Sequence, residues 1–423
     1  MHSRMRLPDG RCRVTFRAGA VSYVQTFKLA MGATVSARCR VVIIGAGYAG
    51  VMAANRLAGS RKSYKSISVT VLNPVADFVE RIRLHEVAAG NRVSATVPMR
   101  SLLHERAELV EGTAWRIDPE HHKVHLSGGG AALDYDVLLY AVGSTQASSR
   151  IPAGAYGLRD SADANRLRAR LSELDPAATV SVIGAGLTGI EVSAEIAERY
   201  PQLRVRLISR GAIAESLSGP GRHAVVKRLS ALGVELVENT EVQRCDDSSI
   251  QTSGGDTPRS DCTIWTAGFS APGLARDSGL PTDALGRLVV DESLCCPQHP
   301  DIFGAGDAVR AAPSVAGHLR MSCASALPLG AHAADSIIAR LENRAPAPLS
   351  AGYMLRCISL GRKSGLVQTV HADDRPRSFV IRGRLAGVAK AQICDMTLAW
   401  IRGELRRNGS YSWPKGPRPA AAR

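Results

Sequence analysis

The chain has 423 residues, enough for two or three domains with separate cores, and its composition (45% apolar, 4% aromatic, 40 glycines) is that of an ordinary globular protein. Net charge is +15, but residues 1–40 carry +7 and residues 351–423 carry +10, which leaves the body between them at −2. Terminal charge without a recognition motif argues against nucleic acid as a partner, and no run approaches the ~20 apolar residues that span a bilayer. The nine cysteines have no C-x-x-C spacing and no metal-ligand clustering, which predicts reduced thiols, a cytoplasmic setting and no metal site. The adjacent Cys295-Cys296 reads as two strand residues on opposite faces rather than a redox pair.

In chain order, residues 1–39 mix Arg, Gly and short apolar pieces and read as an unfolded extension. An apolar strand, 40–44, then runs into GAGYAG (45–50), a helical stretch and a second strand, 67–72. DVLLYAVGS (136–144) is a further apolar strand ending in a small-residue turn. The pattern then repeats: strand 179–183, GAGLTG (184–189), helix, strand 204–208, and DCTIWTAGF (261–269). A third glycine turn, GAGD (304–307), follows strand 301–303. APAPLS (345–350) is a linker signal, with a smaller region at 351–410 and a disordered tail at 411–423. Strand, glycine turn, helix and strand, given twice, predict an α/β fold with two Rossmann-like dinucleotide-binding units.

The glycines have separate tasks. Gly45 and Gly184 permit the tight turn, Gly47 and Gly186 let the backbone approach a pyrophosphate, and Gly50 and Gly189 let helix and strand pack closely. The phosphates would rest on N–H groups at the helix N-termini. An acid usually ends the second strand and holds the adenosine ribose, but neither unit has one. The first has Asn73, an uncharged ribose partner; the second has Ser209-Arg210, and an arginine there suits a 2′-phosphate, so both NADH and NADPH stay open. Asp307 could hold a polyol chain by charge-assisted hydrogen bonds.

These motifs, in this order, resemble the FAD-dependent pyridine nucleotide-disulfide oxidoreductase superfamily, and within it the type II NADH dehydrogenases. Further pieces of the likeness are NPVADFVERIRLHEVAAG (73–90), VPMRSLL (97–103) and GHLRMSCASALPLGAHAAD (317–335). The resemblance implies an FAD domain split as 40–155 and 270–350 around an NAD(P)H domain at 156–269. It places Gly45, Gly47, Tyr48, Ala49, Gly50, Asn73, Arg100, Val142, Gly143 and Asp307 along FAD. It places Gly184, Gly186, Leu187, Gly189, Ser209, Arg210 and Gly268 along NADH or NADPH, with Glu191 near the nicotinamide as the catalytic candidate. His85 and Glu86 are candidate proton shuttles near the flavin, and Cys323 is placed near it.

The implied activity is hydride transfer from the nicotinamide to flavin N5 and then to a quinone or small-molecule acceptor. Two departures bear on it. No cysteine lies between Cys39 and Cys245, which argues against dithiol chemistry, and the Gln-rich stretch of quinone-linked members is Ser322–Pro328 here, without glutamines. A soluble reductase serving a ferredoxin or monooxygenase, and a flavin-bearing redox sensor, are the alternatives. Residues 388–407 read as a basic amphipathic helix, suited to peripheral contact with the inner face of the membrane, to packing on the FAD domain, or to a homodimer interface.

Overall fold

The computed structural model describes residues 38–60, 67–146 and 151–417 in full, and the backbone of three strands before them. Residues 1–38 and 39–423 form two compact units. In the first, Ser3–Arg6, Arg11–Ala18 and Val21–Lys28 pair antiparallel, with Ser3 opposite Thr15 and Phe16 opposite Tyr23. An unfolded extension was expected here. The strand signal it overlooked is the alternation of Cys12, Val14, Phe16 and Ala18 among arginines and threonine.

In the second unit, β1 (Cys39–Ile44) leads through the first glycine turn to α1 (Tyr48–Gly59) and β2 (Ile67–Asn73). After a short helix α2 (Leu84–Ala88), β3 (Ala107–Glu111) pairs beyond β2, and β4 (Val137–Tyr140) returns to the other side of β1. The chain then builds a second sheet. Its parts are β5 (Ala155–Tyr156), β6 (Thr179–Ile183), α3 (Leu187–Arg199), β7 (Arg204–Ile208), β8 (Glu235–Val237) and β9 (Cys262–Trp265). It comes back to the first sheet with β10 (Cys295–Cys296) and β11 (His299–Gly304), followed by α4 (Cys323–Leu341).

The sheet orders are β10-β11-β4-β1-β2-β3 and β5-β9-β6-β7-β8. All pairs are parallel except β10 with β11. Sheets covered on both faces need strands apolar throughout, and Val41, Ile43, Val71 and Leu139 are fully buried. In each sheet the order reverses beside the strand that carries the glycine turn, which puts a crevice at the carboxyl ends of β1 and β4, and another at those of β6 and β9.

The two β-turn crossovers meet. Thr145 and Ser270 exchange backbone hydrogen bonds at 2.8 and 2.9 Å, so the segments after β4 and β9 run antiparallel as a two-stranded tie between the sheets.

The C-terminal region is an antiparallel sheet of β12 (Leu355–Ser359), β13 (Gly365–Val370) and β14 (Pro376–Gly383), then α5 (Arg384–Arg406). In α5, Leu398 and Ile401 are buried in the core beside α1, and the Asn55 amide nitrogen reaches Ile401 O at 3.5 Å. The tail was expected to be disordered from 411, yet 411–417 packs on the linker. Trp413 Nε1 donates to Ser350 O at 2.9 Å, and the Gly416 N–H donates to Ser350 Oγ at 3.0 Å. Tyr411 stacks on Trp413 and meets Trp400 at a tilt, and those aromatics supply the burial that a Pro/Lys/Arg count does not register.

Candidate active site

The first glycine turn carries the features of a phosphate cradle. Gly45 takes φ +100°, and a Cβ there would press on the Ala141 carbonyl and on Val142 Cα. A Cβ on Gly50 would collide with the Gly45 carbonyl oxygen, whereas one on Gly47 would meet nothing within 4 Å. The middle glycine therefore faces open space at the start of α1, where a pyrophosphate would need backbone approach. Ala49 lies against Gly330 of α4, and Tyr48 is buried edge-on to Phe78 with ring centroids 5.0 Å apart.

Asn73 stands at the end of β2 as expected, but its amide braces the turn. Oδ1 accepts the Ala46 N–H at 3.0 Å and Nδ2 donates to Val75 O at 2.8 Å. Arg100 lies exposed in the single turn Met99–Ser101. At the other side of β1, Val142 abuts Gly45, and Gly143 takes φ +70°.

Asp307 closes this crevice. Its carboxylate accepts the Ser144 hydroxyl at 2.8 Å and the Ser322 N–H, at the start of α4, at 2.9 Å. Burial pushes its carboxyl above the usual range, against the pull of Ser144 and of the Arg81 charge. Arg81 donates to Ser144 O at 2.6 Å, and burial lowers its pKa. Arg81 and Ser144 were not singled out in the sequence. Ser144 ends a motif that was noted, while nothing local distinguishes Arg81 from its neighbours in ERIRLHE. These donors and acceptors, with the open turn at Gly47, fit a dinucleotide that carries a polyol chain.

The second crevice repeats the first. The Gly184 N–H donates to Ile208 O at 2.9 Å, and a Cβ on Gly189 would strike the Gly184 carbonyl oxygen, while Gly186 is open. The Thr266 hydroxyl lies 2.9 Å from the carbonyl oxygens of both Ile183 and Gly184. Leu187 is half-buried at the first turn of α3, and Gly268 takes φ +78° with open space around it. Ser209 and Arg210 follow β7, with Arg210 exposed. Gln146 joins the crevices, its Nε2 reaching Trp265 O at 3.0 Å and Ala267 O at 3.2 Å.

Glu191 is not presented freely to a ligand. Its Oε1 takes Lys390 Nζ of α5 at 3.1 Å and the Ser359 N–H at 3.0 Å, and its Oε2 is 3.9 Å from His85 Nδ1. Burial raises its carboxyl, but Lys390, His85 and the Ser359 N–H outweigh that and hold it below the usual range. Glu86, which follows His85 in α2, pairs with Arg83, Arg92 and Arg362 at 3.0–3.3 Å. Among the described residues, His85 Nε2 is buried without a hydrogen-bond partner. Cys323 opens α4, and burial pushes its thiol up to about 11, which keeps it protonated. The Cys295 thiol is likewise pushed up by burial, to about 12, as suits a packed strand residue.

The family pattern for pyridine nucleotide-disulphide oxidoreductases matches residues 39–326. The chain belongs to that family. This oxidoreductase is 29% identical over 384 residues to an NADH dehydrogenase-like protein of Mycobacterium tuberculosis, covering 84% of this chain and 92% of that one. In structure it is similar to the sulfide:quinone oxidoreductase of Aquifex aeolicus (TM-score 0.73, 16% identity, 86% of this chain and 92% of that one). It is also similar to NDH2 from Plasmodium falciparum in complex with NADH (TM-score 0.72, 14% identity, 89% and 99%). The oxidoreductase is an enzyme with FAD and a nicotinamide dinucleotide as its cofactors.

Proposed function

We propose that this oxidoreductase takes a hydride from NADH or NADPH onto FAD and delivers the electrons to a quinone or another small acceptor. The observation that carries the reading is the pair of matched glycine crevices tied together by Thr145, Gln146 and Ser270, which brings two dinucleotides toward one another. Bound FAD supplies the two-electron centre. The protein's part is placement. The Gly45–Gly50 turn, Val142, Gly143 and Asp307 hold the FAD side, with Arg81, Ser144 and Arg100 beside them. Gly184–Gly189, Ser209, Arg210 and Gly268 hold the nicotinamide side. The domains of this reading are 40–155 with 270–350 for FAD and 156–269 for the nicotinamide nucleotide, except that Ala155 already pairs with Thr263 in the second sheet.

Glu191 acts as a positioning residue through its ion pair with Lys390. His85 and Glu86 are the nearby groups able to move a proton when the flavin is reoxidised.

We place the enzyme in the cytoplasm, peripheral on the inner face of the membrane. The support is a surface on the C-terminal region where Phe379, Ile381, Leu385 and Val388 are 64%, 40%, 77% and 58% exposed beside Arg377, Arg382 and Arg384. Among the described residues no helix is long and apolar enough to cross a membrane. The surplus of +10 over residues 351–423 favours, as the second reading, an acidic protein carrier such as a ferredoxin.

Anaerobic titration of the flavin-loaded protein with NADH and NADPH, then reoxidation by quinones, ferredoxin and dioxygen, tests this. Bleaching by a nucleotide and recovery with a quinone are expected. Absence of bleaching at millimolar nucleotide would leave a flavin-bearing sensor and end the dehydrogenase reading.

A further inference from the structure

The two glycine turns are built alike, so the residues after them can be matched one to one. Gly45 N–H donates to Leu72 O at 2.8 Å, and Gly184 N–H donates to Ile208 O at 2.9 Å. The next residue is Asn73 in the first unit and Ser209 in the second. There the likeness ends. Asn73 closes its turn by accepting the Ala46 N–H, whereas among the described residues nothing accepts the matching N–H of Ala185. The shorter serine leaves this corner open.

Arg210 stands beside that corner. Its side chain is 83% exposed, and its carboxylate neighbour is Glu241, 3.9 Å from Nη1 and itself 56% exposed. An exposed pair at that distance is screened and weak. The loop that carries Glu241 is fixed: Thr240 N–H donates to Ser209 O at 2.8 Å, and Asn239 N–H to Gly211 O at 3.5 Å. The other acid of the loop, Glu238, is already committed, accepting the Ile213 N–H and Arg222 at 2.7 Å each. A guanidinium therefore sits on a held backbone ledge, at the strand end where an acid would select the ribose diol of NADH and an arginine the 2′-phosphate of NADPH.

We propose that Ser209 and Arg210 make the second crevice selective for the 2′-phosphorylated nucleotide, NADPH. The guanidinium clamps the 2′-phosphate by charge-assisted hydrogen bonds, and the Ser209 hydroxyl donates a further one. Glu241 is released from Arg210 on binding and tempers the preference. The inference rests on the reading that this crevice holds the nicotinamide nucleotide.

The test is calorimetric titration of the flavin-loaded, full-length protein with 2′,5′-ADP and with 5′-AMP, which lacks only the 2′-phosphate; both fragments bind without any flavin chemistry. The wild type is expected to bind 2′,5′-ADP about 10–100-fold more tightly than 5′-AMP. Arg210→Ala should bring that ratio close to one, Arg210→Lys should keep part of it, and Glu241→Gln should widen it. The ratio of kcat/KM for NADPH over NADH should follow, mainly through KM. Equal affinity of the wild type for both fragments, or a ratio that survives Arg210→Ala, overturns the selectivity and leaves the nicotinamide site standing. If neither fragment binds and neither dinucleotide bleaches the flavin, the site reading falls as well.

Discussion

Two glycines three residues apart in one turn, Gly47 and Gly50, show how differently single residues act. Gly50 is required by the protein itself, because a Cβ there meets the Gly45 carbonyl; Gly47 faces open space, so the fold itself does not demand a glycine there and the proposed dinucleotide would. Gly47→Ala should therefore fold within about 0.5 kcal/mol of the wild-type apoprotein yet be purified colourless. Gly50→Ala should cost about 1–3 kcal/mol even without flavin. Urea unfolding of the two apoproteins, with the flavin absorbance of each preparation, separates the cases. Equal stability losses would refute the distinction.

The Glu191–Lys390 pair makes a prediction in pH. Glu191 has its pKa held below the ordinary value of 4.5, so its ion pair contributes stability above that range and loses it as pH falls through the folded value. Lys390→Met leaves a buried carboxylate without its cation and should cost about 3–5 kcal/mol at neutral pH. The deficit should shrink on acidification toward pH 4, because protonation removes the unpaired buried charge from the variant. A deficit that stays constant from pH 7 to pH 4 would show that the pair is not the cause.

Among the elements, the tie between the sheets is the most consequential. Gln146 is 2% exposed and serves the carbonyls of Trp265 and Ala267 with one amide. Gln146→Leu leaves both carbonyls without that donor and should cost about 1–3 kcal/mol. It should also raise KM for the nicotinamide nucleotide, since Gly268 follows directly on Ala267, whose carbonyl it holds. Steady-state kinetics with an unchanged KM would confine Gln146 to stability. The helix α5 is the element whose role the tertiary contacts altered most. An amphipathic pattern over 388–407 is equally compatible with lipid and with protein, and here Leu398 and Ile401 are spent on the core against α1.

For the molecule as a whole, the exposed apolar residues Phe379, Ile381, Leu385 and Val388 lie together in sequence on β14 and the first turns of α5. If this surface meets an anionic bilayer, Phe379→Ser with Leu385→Ser should weaken co-sedimentation with vesicles containing anionic lipid by at least roughly tenfold. Raising salt should weaken wild-type binding through the arginines. Retention on vesicles by the double variant would exclude this surface, and a change in oligomeric state without any vesicle binding would assign it to a second copy of the chain.

The two α/β units and their glycine turns were legible in the sequence because their causes are local. An apolar strand, a glycine at positive φ and a helix start lie within a dozen residues and leave a periodic trace. The N-terminal strands were local too, and were obscured by their arginines. What only the tertiary structure decided depends on partners far apart in the chain. Asn73 is a brace because Ala46 lies beside it, Glu191 is ion-paired because α5 brings Lys390 across some two hundred residues, and Arg81 reaches Ser144 and neighbours Asp307 through a fold that unites three separate segments. Hydrogen bonds and ion pairs depend on distance in space, and a one-dimensional pattern records that distance only where the chain itself is short.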